Sequence, residues 1–106
     1  MGFFDFLKQP DINQDIEEFK QYPDAILVDV RTPEEFNGGH IEGSINLPLQ
    51  QIGQAASHIP NKNVKLYVYC HSGARSTQAT AHLKQMGYTD VNNIGGISNY
   101  KGKVAR

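Results

Sequence analysis

The sequence predicts one α/β domain: a central, mainly parallel sheet of four or five strands with helices on both faces. Three observations predict it. Short runs of branched apolar residues alternate along the chain with stretches of helical spacing, over brief connections. The clearest strand is apolar on both faces, with Val64, Leu66 and Val68 on one side and Tyr67 and Tyr69 on the other, as in a sheet covered twice. The chain has 106 residues, of which 39% are hydrophobic, enough for one small core and no second. No repeat, low-complexity block or linker divides it.

Taken in order, Ile12, Ile16 and Phe19 predict a helix over residues 12–22. Ala25-Ile26-Leu27-Val28-Asp29-Val30 reads as a buried strand. Thr32 is a good N-cap, Pro33 suits the first helical position and Glu35 completes a capping box, so a short helix follows, stopped at Gly38-Gly39. Ser44 to Leu47 is a brief strand closed by Pro48. Ile52, Ala55, Ala56 and Ile59 predict a helix from Gln50 to Ile59, ended by Pro60. After the strand from Val64 to Tyr69, a helix from Ser76 to Met86 carries Ala79, Leu83 and Met86 on one face, with Gly87 at its end. A last strand, Val91 to Ile94, runs into Gly95-Gly96, which allows a close backbone turn. Residues 1–11 are a separate N-terminal segment before a domain over 12–106, and the Phe residues in it are expected to pack on the domain edge.

Charge excludes several classes. Ten Lys and Arg against eleven Asp and Glu leave a formal charge of −1, which argues against binding nucleic acid or an anionic membrane through a broad basic surface. Met1 to Lys8 is too short for a signal peptide, no run is long enough to span a bilayer, and Phe6 stands where a myristoylation motif needs Ser or Thr. A single cysteine, Cys70, forms no internal disulfide and suits a reducing compartment, so the expected location is cytoplasmic. No His, Asp or Glu group has metal-ligand spacing, and no metal or cofactor is expected.

Ligands of open parallel sheets bind beyond the carboxyl ends of the strands. Cys70 lies there, followed by His71-Ser72-Gly73-Ala74-Arg75-Ser76. Free cysteines are most often buried and inert. A strand-to-helix turn with small residues, Gly73 and Arg75 is instead a place for a nucleophile. Inward-turned backbone N–H groups form a nest that stabilises a thiolate, and Arg75 adds a fixed positive charge with donors suited to oxyanions. Asp29 and Arg31, at the end of another strand, are expected near this loop in a supporting role, Asp29 accepting N–H bonds and Arg31 pairing with Glu35 or its neighbours. His71 is expected at the loop mouth and His40 in a structural hydrogen bond between loops. Glu17-Glu18 and Glu34-Glu35 read as solvated helix faces.

Cys70 to Ser76 resembles the active-site loop of single-domain rhodaneses, Cys-x-x-Gly-x-Arg-Ser. Asp29 to Phe36, Gly39 to Asn46 and Asn93 to Ile97 are similar to that family's other signatures, in order and correctly spaced, from about residue 12 to the end. Ser44 stands where Ala is more usual, and Tyr100 where Trp is common. The resemblance implies a rhodanese-like fold and sulfur transfer: Cys70 would take a sulfane sulfur from thiosulfate or a persulfide, and a thiol or cyanide would remove it. Residues 71–76 would bind the anionic substrate. A persulfide carrier or sensing module acting on a protein partner is the alternative. A phosphatase of the same fold needs five residues between Cys and Arg, whereas four separate Cys70 from Arg75, and no acid for a leaving alkoxide is evident.

Overall fold

The computed structural model describes residues 11–106; the expectation for the Phe-rich N-terminus lies outside them. The elements are α1 (Ile12–Phe19), β1 (Ile26–Asp29), α2 (Pro33–Gly38), β2 (His40–Ile41), β3 (Ser44–Asn46), a 3-10 helix (Leu49–Gln54), α3 (Ala55–His58), β4 (Leu66–Cys70), α4 (Ala74–Gln85), β5 (Val91–Gly96), a 3-10 turn (Ile97–Asn99) and β6 (Val104–Ala105). The main sheet has four strands in the order β3-β1-β4-β5, and every pairing in it is parallel.

Side-chain alternation along the strands divides the core into two layers. On one face Val28, Val30, Leu66, Val68 and Cys70 meet Ile52, Ala55, Ile59, Ala79 and Leu83. On the other, Leu27, Tyr67, Tyr69 and Ile94 meet Ile12 and Ile16 of α1 and Ile41 of β2. Full burial of each such large side chain contributes about 1.5–3 kcal/mol. All five residues of β4 are buried, so the strand bearing the cysteine is the most constrained in the sheet.

The helix starts follow from local chemistry. Asp11 caps α1, accepting from the N–H groups of Asn13 and Gln14. The helix ends three residues earlier than its apolar pattern suggests, because Pro23 disfavours helical backbone at Tyr22. In α2, Thr32 accepts from the Glu35 N–H while the Glu35 carboxylate accepts from the Thr32 N–H, the reciprocal box read from the sequence.

Two expectations are corrected. The predicted single helix over 50–59 is a 3-10 helix followed by one turn of α3. Leu49, Ile52 and Ala55 recur every third residue and all three pack into the core, which suits three residues per turn rather than 3.6. The second is the unforeseen antiparallel pair, β2 with β6, registered His40 to Ala105 and Ile41 to Val104. Two residues a side are too few for a strand pattern to show.

Register sets the strand ends level. Asp29 lies opposite both Asn46 and Tyr69, and Cys70 lies opposite Gly96. The loops after β1, β3, β4 and β5 therefore share one edge of the sheet.

Candidate active site

Cys70 is the last residue of β4, and α4 begins at Ala74, two residues earlier than the predicted start. The turn is tight because Gly73, the helix N-cap, has φ +108°, a conformation that disfavours any side chain. It folds the Gly73 N–H back onto Cys70 Sγ at 3.0 Å. Burial pushes the thiol pKa up. The Ser76 N–H, the Ser76 hydroxyl and the N–H groups of Gly73 and Ser72 outweigh burial, and the pKa lies below the ordinary thiol value. The cysteine itself is only 1% exposed, whereas His71, Ser72 and Ala74 face solvent. The sulfur sits beneath its loop, with a cleft of 660 Å³ beside it that Ser72, Gly73, Thr77, Asn93 and Gly96 help to line.

The loop rests on β5. A Cβ added at Gly96 would lie 2.2 Å from the His71 carbonyl oxygen and 2.6 Å from Ser72 Cα, and the Ser98 N–H holds the same His71 carbonyl at 3.1 Å. This is the close approach expected of Gly95-Gly96. Gly96→Ala is expected to lift the loop off the strand, costing about 1–3 kcal/mol as overpacking does, and to speed alkylation of Cys70. An unchanged alkylation rate and denaturation midpoint would show that the contact is not needed.

Arg75 projects from the first turn of α4, and its guanidinium grips Glu35 of α2 at 2.7 and 3.0 Å. Two of its five donors are thereby committed, and among the described residues the rest remain for an anion. The sequence reading assigned Glu35 to a solvated face and to Arg31, and both assignments are corrected. The capping box turns Glu35 back toward Thr32, and that points its carboxylate at Arg75. The Arg75 hydrogen bonds, with those from Thr32, overcome desolvation and hold the Glu35 carboxyl down at about 2, from an ordinary 4.5. Its stabilising effect is therefore complete above about pH 4.5 and is lost as pH falls through 2. Both side chains are about a third exposed, so water screens the pair. Glu35→Gln is expected to lower stability at neutral pH and to match the parent near pH 2 in urea titrations; a gap independent of pH would contradict the pairing.

Asp29 and Arg31 form a buried pair of their own. The Arg31 side chain reaches Asp29 through Nε at 3.0 Å and a terminal nitrogen at 2.7 Å, its backbone N–H also bonds Asp29, and it donates to the Gly39 carbonyl at 2.7 Å. Burial opposes the Arg31 charge, the Asp29 bonds and charge outweigh it, and its pKa is raised. The guanidinium lies over the Tyr69 ring, on the sheet face opposite the Cys70 side chain. The N–H bond to Asp29 was expected; alternation turns the Asp29 and Arg31 side chains to the layer opposite the Cys70 side chain. His40 makes a structural bond, but to the neighbouring helix four residues back rather than between loops, Nδ1 lying 2.9 Å from the Phe36 carbonyl with the rings stacked at 3.7 Å.

Residues missed by sequence reasoning are Asn93 and Glu35. Asn93 is half-buried on β5 and accepts from the Ser76 hydroxyl; its sequence signal was its place at the head of the Asn93 to Ile97 signature. Among the described residues no three His, Cys, Asp or Glu side chains gather as metal ligands, and no helix is long and apolar enough to cross a membrane.

This chain is similar to known proteins. The family model for the rhodanese-like domain matches residues 13–103. The thiosulfate sulfurtransferase PspE of Escherichia coli is 42% identical over 73 residues, which cover 68% of this chain and 70% of that protein. A solved structure described as a rhodanese with anions from E. coli superposes with a TM-score of 0.72 at 37% identity, over 77% of this chain and 98% of its own. The tRNA uridine(34) hydroxylase of Salmonella newport is 31% identical over 102 residues; these span 91% of this chain but 28% of that protein.

Proposed function

This chain belongs to the rhodanese-like domain family, and from that membership we propose that it is a sulfurtransferase working through a Cys70 persulfide. The observation that carries the reading is the amide-lined sulfur: a Gly73 N–H at 3.0 Å from Cys70 Sγ, with the Ser72 and Ser76 N–H groups adding to the depressed pKa. Amides aimed at a sulfur stabilise an anion there without needing a base.

In the first half-reaction the Cys70 thiolate attacks the sulfane sulfur of thiosulfate. A Cys70 Sγ–S bond forms, the donor S–S bond breaks, and sulfite leaves with the electron pair. In the second, cyanide or a thiolate attacks the outer sulfur. That sulfur departs as thiocyanate or a new persulfide, and Cys70 is regenerated as a thiolate. Electrons balance with no outside oxidant, as in thiol–disulfide exchange. The negative charge of the intermediate sits on the outer sulfur, about 2.05 Å beyond Sγ, within reach of the amides of residues 72–76. The uncommitted donors of Arg75 face the oxyanion end of the donor molecule. A persulfide donor or a protein thiol acceptor follows the same two steps. The four-residue spacing from Cys70 to Arg75 disfavours phosphate chemistry.

Intact mass after incubation with thiosulfate tests the reading. The expected result is a gain of one sulfur atom, removed by cyanide or thiol. No adduct with thiosulfate or an alkyl persulfide overturns it.

A further inference from the structure

Ser76 is fully buried, and its hydroxyl is contested. Its Oγ lies 2.8 Å from Asn93 Oδ1, 3.0 Å from the Gly73 carbonyl, 3.4 Å from the Gly95 carbonyl and 3.7 Å from Cys70 Sγ. A hydroxyl has one hydrogen to donate. Three of these neighbours are oxygens that only accept, and an ionised sulfur is a fourth acceptor.

The shortest of the four contacts is to Asn93, whose orientation its other partners determine. The Gly95 N–H, which can only donate, reaches Asn93 Oδ1 at 3.1 Å. Asn93 Nδ2 donates to Thr77 Oγ1 at 3.0 Å, and the Thr77 hydroxyl in turn donates to the Gly73 carbonyl at 2.8 Å. A flipped carboxamide would set an NH2 group against the Gly95 N–H. The register shift between Val68 and Tyr69 inserts an extra residue in β5. Such a bulge re-aims side chains, and here it accompanies the Gly95 amide turning back over Asn93.

We propose that Asn93 is a positioning residue for sulfur transfer: by competing for the Ser76 hydroxyl hydrogen, it sets how readily Cys70 Sγ carries negative charge. The inference rests on the reading of Cys70 as the sulfur-bearing nucleophile. With the hydrogen on Asn93, Ser76 Oγ turns lone pairs toward Sγ and accepts the thiol S–H. With Sγ ionised, the hydrogen swings to sulfur, and Asn93 Oδ1 keeps only the Gly95 N–H. In the persulfide the charge lies on the outer sulfur and Sγ is neutral, so the hydrogen returns to Asn93. Ser76 thus supports Sγ when it is an anion, before attack on the donor and again as the leaving group. Asn93 limits that support and so preserves nucleophilicity, which falls as a thiolate is stabilised.

Other charges at this edge of the sheet are Arg75 of α4 with its partner Glu35 of α2 and, on the opposite face, the Asp29–Arg31 pair after β1. Asp11 at the start of α1 lines the same cleft as Asn93, and β5 carries no charged residue. None of these changes when Asn93 is substituted.

Cys70 is the sole cysteine, so the pH dependence of alkylation by iodoacetamide reads its titration directly in the whole protein. Asn93→Asp keeps the shape and the Gly95 bond, accepts more strongly and adds negative charge; it is expected to raise the titration by on the order of one pH unit. Asn93→Ala removes the competitor and is expected to lower it. In a Ser76→Ala background the alanine effect is expected to vanish, since it acts only through that hydroxyl. Shifts of the same sign in both single variants, or an alanine effect that persists without Ser76, would overturn the proposal. A wild-type protein that forms no sulfur adduct would instead remove the functional reading, and the titrations would still decide the role of Asn93.

Discussion

Cys70→Ser is expected to reduce thiosulfate-to-cyanide turnover by a thousandfold or more, on the order of what loss of a nucleophile costs, and to abolish the sulfur adduct in intact-mass spectra. The effect is large because the oxygen of a serine is neither ionised at neutral pH nor able to form a stable bond to a sulfane sulfur. The loop amides that hold an anionic sulfur are not a substitute, since they act on charge the nucleophile must supply. The substitution is expected to leave the fold intact, since a hydroxyl replaces a thiol that already lies among donors and acceptors, with Gly73 N–H at 3.0 Å and Ser76 Oγ at 3.7 Å. Retained turnover with a normal melting curve would remove Cys70 from the mechanism. The low exposure of Cys70, 1%, sharpens the companion measurement. Iodoacetamide is expected to label the thiol at neutral pH because the sulfur lies directly under a solvent-facing loop. A protein inert to alkylation would show that the sulfur is sealed in.

The second large effect concerns stability rather than turnover. Arg31→Met is expected to destabilise the domain by about 3–5 kcal/mol, the range for breaking a buried ion pair. It strands a fully buried Asp29 carboxylate and leaves the Gly39 carbonyl without its guanidinium donor. Against a total stability of about 5–15 kcal/mol for a small domain, that is a substantial share, and the melting temperature is expected to fall by on the order of 10–20 °C. Adding Asp29→Asn to Arg31→Met is expected to recover part of the loss, because it removes the unpaired charge; this coupling is what a double-mutant cycle measures. The guanidinium lies on the far face of the sheet from the sulfur, so turnover per folded molecule is expected to stay within about twofold of the parent. A loss under about 1 kcal/mol would show that water reaches Asp29.

How much of the molecule its sequence revealed follows from the range of each interaction. Short apolar runs marked β1 and β4, brief strands were read at β3 and β5, and the Thr32–Glu35 box, the Gly73 turn and the end of β4 at Cys70 are effects of neighbours within a few residues. Such features were legible because a short segment carries its own hydrogen bonds and its own apolar face. The 3-10 turn at 49–54 was legible in principle, since Leu49, Ile52 and Ala55 recur in threes, but a helix period was read over it. The two-residue pairing of β2 with β6 was not legible, because its partners are more than sixty residues apart and each side is too brief to show a pattern.

Local sequence thus determined the α/β class, the cysteine at a strand's carboxyl end and the small-residue loop after it. Only the tertiary structure decided which charges and hydroxyls meet there: Arg75 with Glu35 from forty residues away, and Ser76 of α4 with Asn93 of β5. The physical reason is that a side-chain pair is selected by strand order, register and one bulge, which depend on the whole sheet assembling. A propensity or a cap depends on a handful of adjacent residues alone.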